Sequence, residues 1–247
     1  MTLDRLSRSV IFWDVSRAIP PDRLERLVEV ATATFIAQGY QRTQMEDVAG
    51  GLGVGKGTLY GYVESKAALF DLALRCADGR EPLPQPSALP VRTPAPGSTV
   101  EAIRMRLVAE TTDLELLAAL ARLDHPEPAR ELADIVRDLY ARMSRNRHGI
   151  KLVDRCAQDQ PELADVWFGQ GRWAQHAALV AYLEQRIAKG LLRRVPNTHV
   201  AARAILEGIA FWAVHRHWDP SPQAVDEADV EATLLALTLH GLAKETK

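Results

Sequence analysis

The run Thr43-Gln44-Met45-Glu46-Asp47-Val48-Ala49-Gly50-Gly51-Leu52-Gly53-Val54-Gly55-Lys56-Gly57-Thr58-Leu59-Tyr60-Gly61-Tyr62-Val63 decides how this chain is read. Thr43 and Glu46 stand at capping-box spacing, where a hydroxyl and a carboxylate satisfy the free amides of a helix start. Met45, Val48, Ala49 and Leu52 then fall on one side of a short helix. Gly53 and Val54 make a turn, and a second short helix sends Leu59 and Val63 inward, leaving Lys56, Thr58, Tyr60 and Tyr62 outside. Two short helices joined by a glycine turn, the second rich in small, hydroxyl and aromatic side chains, suit an element that enters a major groove about 12 Å wide. Gly55, Gly57 and Gly61 remove bulk where backbone amides approach phosphate oxygens, and a helix N-terminus attracts anions.

The flanks extend the pattern. Pro20-Pro21 opens a helix whose Leu24, Leu27, Val28, Ala31 and Phe35 share one face, and Gly39 serves as a left-handed cap. Ser65 caps a fourth helix carrying Leu69, Phe70, Leu72 and Ala73. Apolar residues recur at helical spacing from Leu24 to Leu242 with no sustained strand-like alternation, so the fold class is all-α. Six prolines between Gly79 and Gly97 mark a connecting segment. The expected organisation is an N-terminal arm over 1–20, a DNA-binding head over 21–80 with its helix-turn-helix at about 44–63, a Pro-rich linker over 81–98 and a larger helical domain over 99–247.

The last two helices, at about Thr198 to Trp218 and Val225 to Leu242, are apolar on more than one side. Such helices need cover from several directions, so Ile205, Ile209, Trp212, Val230, Leu234 and Leu237 are candidate dimerisation residues. Lys plus Arg number 30 against 32 Asp plus Glu, so affinity for phosphates must come from a local patch. Two cysteines, Cys76 and Cys156, have no metal-ligand spacing, and a cytoplasmic protein without a disulfide is expected. Val10 to Trp13 form too short an apolar run for a membrane span.

The motifs Gly39-Tyr40, Thr43 to Ala49, Gly53-Val54, Lys56 to Tyr60 and Ser65 to Phe70 resemble the tetracycline-repressor (TetR) family of bacterial regulators, over about a fifth of the chain. That resemblance implies operator binding by the head, a small organic inducer bound by the larger domain, and a homodimer formed by the last two helices. By position it makes Lys56, Gly57 and Thr58 the groove-facing start of the recognition helix, places Tyr60, Tyr62 and Lys66 nearer the phosphates, and adds Gln44 from the supporting helix. Gly50-Gly51, Gly55 and Val63 depart from the family pattern. Glycine costs up to about 1 kcal/mol relative to alanine inside a helix, so a more mobile reading head is expected. The implied activity is repression relieved by an inducer, with a co-repressor or activator on the same fold as the alternative.

Competing readings are weaker. Gly50 to Lys56 fits G-x-x-x-x-G-K, but Gly57 replaces the hydroxyl residue that would ligate magnesium, and no strand precedes the loop. His215 and His217 are two apart and diverge on a helix, so no metal is expected there. Tyr140, Met143, Cys156, Trp167, Phe168 and Trp173 are candidates for an inducer pocket, with ordinary core as the plainer reading. No catalytic motif or cofactor is expected. Residues 1–20 are expected either to pack Ile11, Phe12 and Trp13 on the body or to carry Arg5, Arg8 and Arg17 to a minor groove.

Overall fold

The computed structural model describes residues 21–122 and 125–244; the arm over 1–20 lies outside them. Among the described residues the regular structure is helical, with two isolated β-bridges and no strand. The head comprises α1 (Pro21–Gln38), α2 (Met45–Leu52), α3 (Lys56–Leu59) and α4 (Lys66–Cys76). Leu27, Ala31 and Phe35 on α1 are fully buried, and Gly39 ends the helix at φ 83. Ser65 caps α4 by accepting from Ala68 N at 3.1 Å.

The cap of α2 is one residue later than its spacing suggests. Gln44 N donates to Asp47 Oδ2 at 2.9 Å, while the buried Thr43 hydroxyl donates to Gly39 O at 2.7 Å. The carbonyl exposed by the end of α1 draws the threonine away, and Gln44-Asp47 takes its place.

The body follows with α5 (Ser98–Ala109), α6 (Glu115–Ala121), α7 (Pro128–Arg145), α8 (Arg147–Cys156), α9 (Pro161–Ala164), a π-helical turn over Asp165–Arg172, α10 (Trp173–Ala188), α11 (Thr198–Ala213) and α12 (Glu227–Leu242). Two apolar cores result. One joins α1–α4 to Ile103 of α5, to Leu152, Val153 and Cys156 of α8, and to Leu163 and Val166. The second unites α6, α7, α10, α11 and α12. The head's core therefore runs across the Pro-rich segment into the body. Polar contacts reinforce this: Arg155 Nη2 donates to Gln38 O at 2.9 Å, and Gln41 N donates to Asp159 Oδ2 at 3.2 Å.

The Pro-rich segment is itself docked on the head. Val91 N donates to Tyr62 O at 2.8 Å, Glu64 N to Val91 O at 3.0 Å, and Thr93 N to Glu64 Oε2 at 2.9 Å. Proline removes donors, but Val91 and Thr93 keep theirs, and those amides make the contacts. The second core holds a buried ion pair, Arg186 Nε to Glu131 Oε2 at 2.7 Å, with the Tyr182 hydroxyl donating to the same oxygen at 3.2 Å.

Candidate nucleic-acid interface and effector cavity

The turn between α2 and α3 is built on Gly53, which adopts φ 72 and returns its amide to Gly50 O at 3.1 Å. Leu52, Leu59 and Val63 anchor the two helices below, leaving Gln44, Lys56, Gly57, Thr58 and Tyr60 exposed at one end of the head. Lys56 Nζ pairs with Glu46 Oε1 of α2. The hydrogen bond and charge of each partner hold the ammonium above its usual pKa and the carboxylate below its own. The tip thus presents small residues, two hydroxyls and a lysine restrained by one acid.

Two expected DNA contacts are placed differently. Tyr62 is buried: α3 ends at Leu59, so the helical spacing that would carry Tyr62 outward does not extend to it, and the ring turns into the core. Lys66 directs its ammonium inward, donating to the carbonyls of Tyr40 at 3.0 Å, Gln41 at 3.3 Å and Thr43 at 3.1 Å, over the Tyr40 ring. Three donors meet three acceptors left by the α1–α2 loop, so Lys66 braces that loop.

A cavity of about 690 Å³ opens between α4, α5, α7, α8, the π-helical turn, α10 and α11. Of the six pocket candidates, Met143 and Trp167 line it. The other four are elsewhere. Tyr140 is buried and donates to Glu227; burial and that acid push its hydroxyl up to about 12. Cys156 belongs to the head's core, where burial pushes its thiol up to about 12. Phe168 packs on the same core, and Trp173 is 60% exposed. The cavity wall also contains Asp71, Leu74 and Arg75, so α4 serves head and cavity together.

Among the dimerisation candidates, Ile209 and Val230 are buried in the chain's own second core and are not on its surface. Ile205, Trp212 and Leu234 are half-buried, while Leu237 is 70% exposed. Each of α11 and α12 covers the second core with one side and leaves another open, carrying Val200, Ala204 and Phe211 on α11 and Ala232, Ala236 and Leu237 on α12. Among the described residues no cluster of metal-ligating side chains occurs, and no helix is long and apolar enough to cross a membrane.

The sequence profile of the bacterial regulatory proteins of the tetR family matches residues 27–73, which is α1 from its second turn through most of α4. Over those residues the chain is similar to the tetR family. Over 50 residues it is 44% identical to an uncharacterized HTH-type transcriptional regulator of Bacillus subtilis, a match covering 20% of this chain and 26% of that protein. A ketosteroid transcriptional regulator of Mycobacterium tuberculosis has a similar fold, with a TM-score of 0.55 at 20% identity over 92% of this chain and 98% of that one. A tetR-family regulatory protein of Rhodococcus gives 0.52 at 17% identity, over 92% and 100%. The likeness to that family is therefore one of sequence in the head and of fold alone in the body.

Sequence reasoning missed Glu46 as the partner of Lys56 and missed the polar group Arg80, Arg106 and Asn146 on the cavity wall. The tetR-family motif contains Glu46 and so pointed to the place. Nothing in the spacing of α5 separates Arg106 from a solvated arginine.

Proposed function

We propose that this chain is a ligand-responsive transcriptional regulator, most simply a repressor that leaves a near-palindromic operator when a small organic inducer occupies the cavity. The observation that carries the reading is the exposed tip of Lys56, Gly57, Thr58 and Tyr60, held at the start of α3 by the buried Leu59. A helix start with small residues fits a major groove, with base edges within reach of Lys56 and Thr58 and phosphates within reach of Lys56, Tyr60 and Gln44. Lys66 and the buried Tyr62 support that tip from behind.

A homodimer supplies the second tip, and the open sides of α11 and α12 are the surface for it, with Leu237 and Phe211 as the largest exposed groups. Two-fold symmetry would set the tips about 34–36 Å apart, one helical turn of duplex. Because α4 lines the cavity and packs in the head's core, an effector that favours one placement of α4 would shift the spacing of the tips. Regulation in this reading needs no catalysis or cofactor.

Selection of bound duplexes from a random pool, followed by fluorescence anisotropy, tests the proposal. The parent should select a near-palindrome, and Thr58→Ala should change base preference at one position of each half-site. Uniform weakening on all sequences would remove Thr58 from base reading, and a parent that selects no duplex at low salt would end the regulatory reading.

A further inference from the structure

Seven arginines line the cavity, and six have acids: Arg75 pairs with Asp71 at 2.8 Å, Arg104 with Glu101 at 3.2 Å, Arg142 with Asp138 at 2.7 Å, Arg172 with Glu207 at 2.6 Å, Arg203 with Glu207 at 2.8 Å, and Arg80 with Glu110. Arg106 is the exception. Among the described residues no carboxylate lies within ion-pair distance of its guanidinium, which donates only to Leu74 O at 3.2 Å and to Asn146 Oδ1 at 3.0 Å. The nearby acids are taken: Asp78 accepts from His148 N at 3.1 Å and Gly149 N at 2.8 Å, and Glu110 is shared by Arg80 and Arg145. Burial, with the charge of Arg80 next, holds Arg106 below its usual pKa. A partly desolvated cation that meets Asp78, Glu110 and Glu81 only beyond ion-pair distance, with none bound to it, is an unfavourable arrangement for a fold to keep.

The remaining wall is largely apolar, including Ile103, Leu107, Leu139, Ile150, Val153 and Trp167. An arginine offers several parallel N–H donors, a geometry that matches a planar carboxylate or another oxyanion. We propose that the cavity takes a small amphipathic anion, its oxyanion head group on Arg106 and its apolar body against these walls. The inference rests on the reading of the cavity as the effector site and specifies what enters it. The ligand supplies the counter-charge that the protein withholds from this one arginine. At about 690 Å³ the cavity falls within the range for drug-sized ligands.

The test uses two matched pairs of probes on the full-length protein: 8-anilinonaphthalene-1-sulfonate against neutral N-phenyl-1-naphthylamine, and dodecanoate against 1-dodecanol. Within at least one pair the parent should bind the anion ten-fold or more tightly than the neutral partner. Arg106→Gln should bring that preference within about two-fold while leaving the neutral affinity unchanged, and Arg106→Lys, which keeps the charge, should retain most of it. Equal binding within both pairs, no binding of any probe, or a preference that survives Arg106→Gln would overturn the proposal. Duplex affinity of the ligand-free parent, measured beside it, keeps the two readings apart. A parent with no anion preference but intact DNA binding defeats only the ligand class, whereas a parent that binds no DNA defeats the regulatory reading and leaves the anion site standing.

Discussion

At the scale of single residues, the proposed DNA reading makes the restraint on Lys56 by Glu46 a brake on affinity. Both side chains are exposed at the tip, so each lysine that meets a phosphate must first leave a carboxylate that itself repels the duplex. Glu46→Gln is expected to raise affinity for a random-sequence duplex and to steepen the slope of log K against log salt by about 1 for each bound chain, as each neutralises one further phosphate. Fluorescence anisotropy across a salt series reads both, and an unchanged slope would show that Lys56 faces away from the backbone. The sequence displayed the lysine and the motif around it but not the pairing, because residues 46 and 56 lie on separate helices. Tyr62 and Lys66 were misplaced for related reasons. A helical wheel says nothing past the last turn of α3, and the acceptors of Lys66 exist only once the α1–α2 loop has closed.

At the scale of elements, the presence of α1 to α4 was legible because apolar spacing, a glycine cap and the Ser65 cap agree, although α2 is capped one residue later than its spacing suggests and α3 ends at Leu59, short of Val63. The cavity was not, because its wall takes residues from seven separate stretches of chain whose meeting depends on packing. The adjacent glycines of α2 are a sharper case. A Cβ on Gly50 would meet nothing within 4 Å, whereas one on Gly51 would come 2.7 Å from Val30 Cγ1 of α1. Gly51 lets the supporting helix sit close to α1; Gly50 has no such role. Gly50→Ala should stabilise the protein by about 0.5–1 kcal/mol in thermal melts, and Gly51→Ala should destabilise it. Equal gains from both substitutions would mean that the α1–α2 approach is loose.

At the scale of the molecule, the Glu131–Arg186 pair links α7 to α10 through side chains that are both fully buried. Burial raises the pKa of Glu131, but the hydrogen bond and charge of Arg186, with help from Tyr182 and Arg122, outweigh it and leave the carboxyl below its ordinary value. Stability from a depressed carboxyl is complete above the unfolded-state pKa of about 4.3 and is lost as pH falls through the lower folded value. Asp78 and Glu227, also lowered, act with the same sign. Melting temperature should accordingly vary little with these groups near neutrality and fall below about pH 4. Glu131→Gln, which strands Arg186, should cost about 3–5 kcal/mol at neutral pH, and Glu131→Met with Arg186→Met should recover much of that. No recovery in the double variant would show that the pair stabilises beyond its own burial cost. The docking of Val91 and Thr93 on Tyr62 and Glu64, just past α3, also bears on domain exchange in the laboratory. A chimera that joins α1–α4 to a foreign domain at residue 80 would strip the Tyr62 carbonyl and Glu64 amide of their partners and uncover Phe35 where Cys156 now lies against it. A transplant cut beyond α9 carries its own scaffolding.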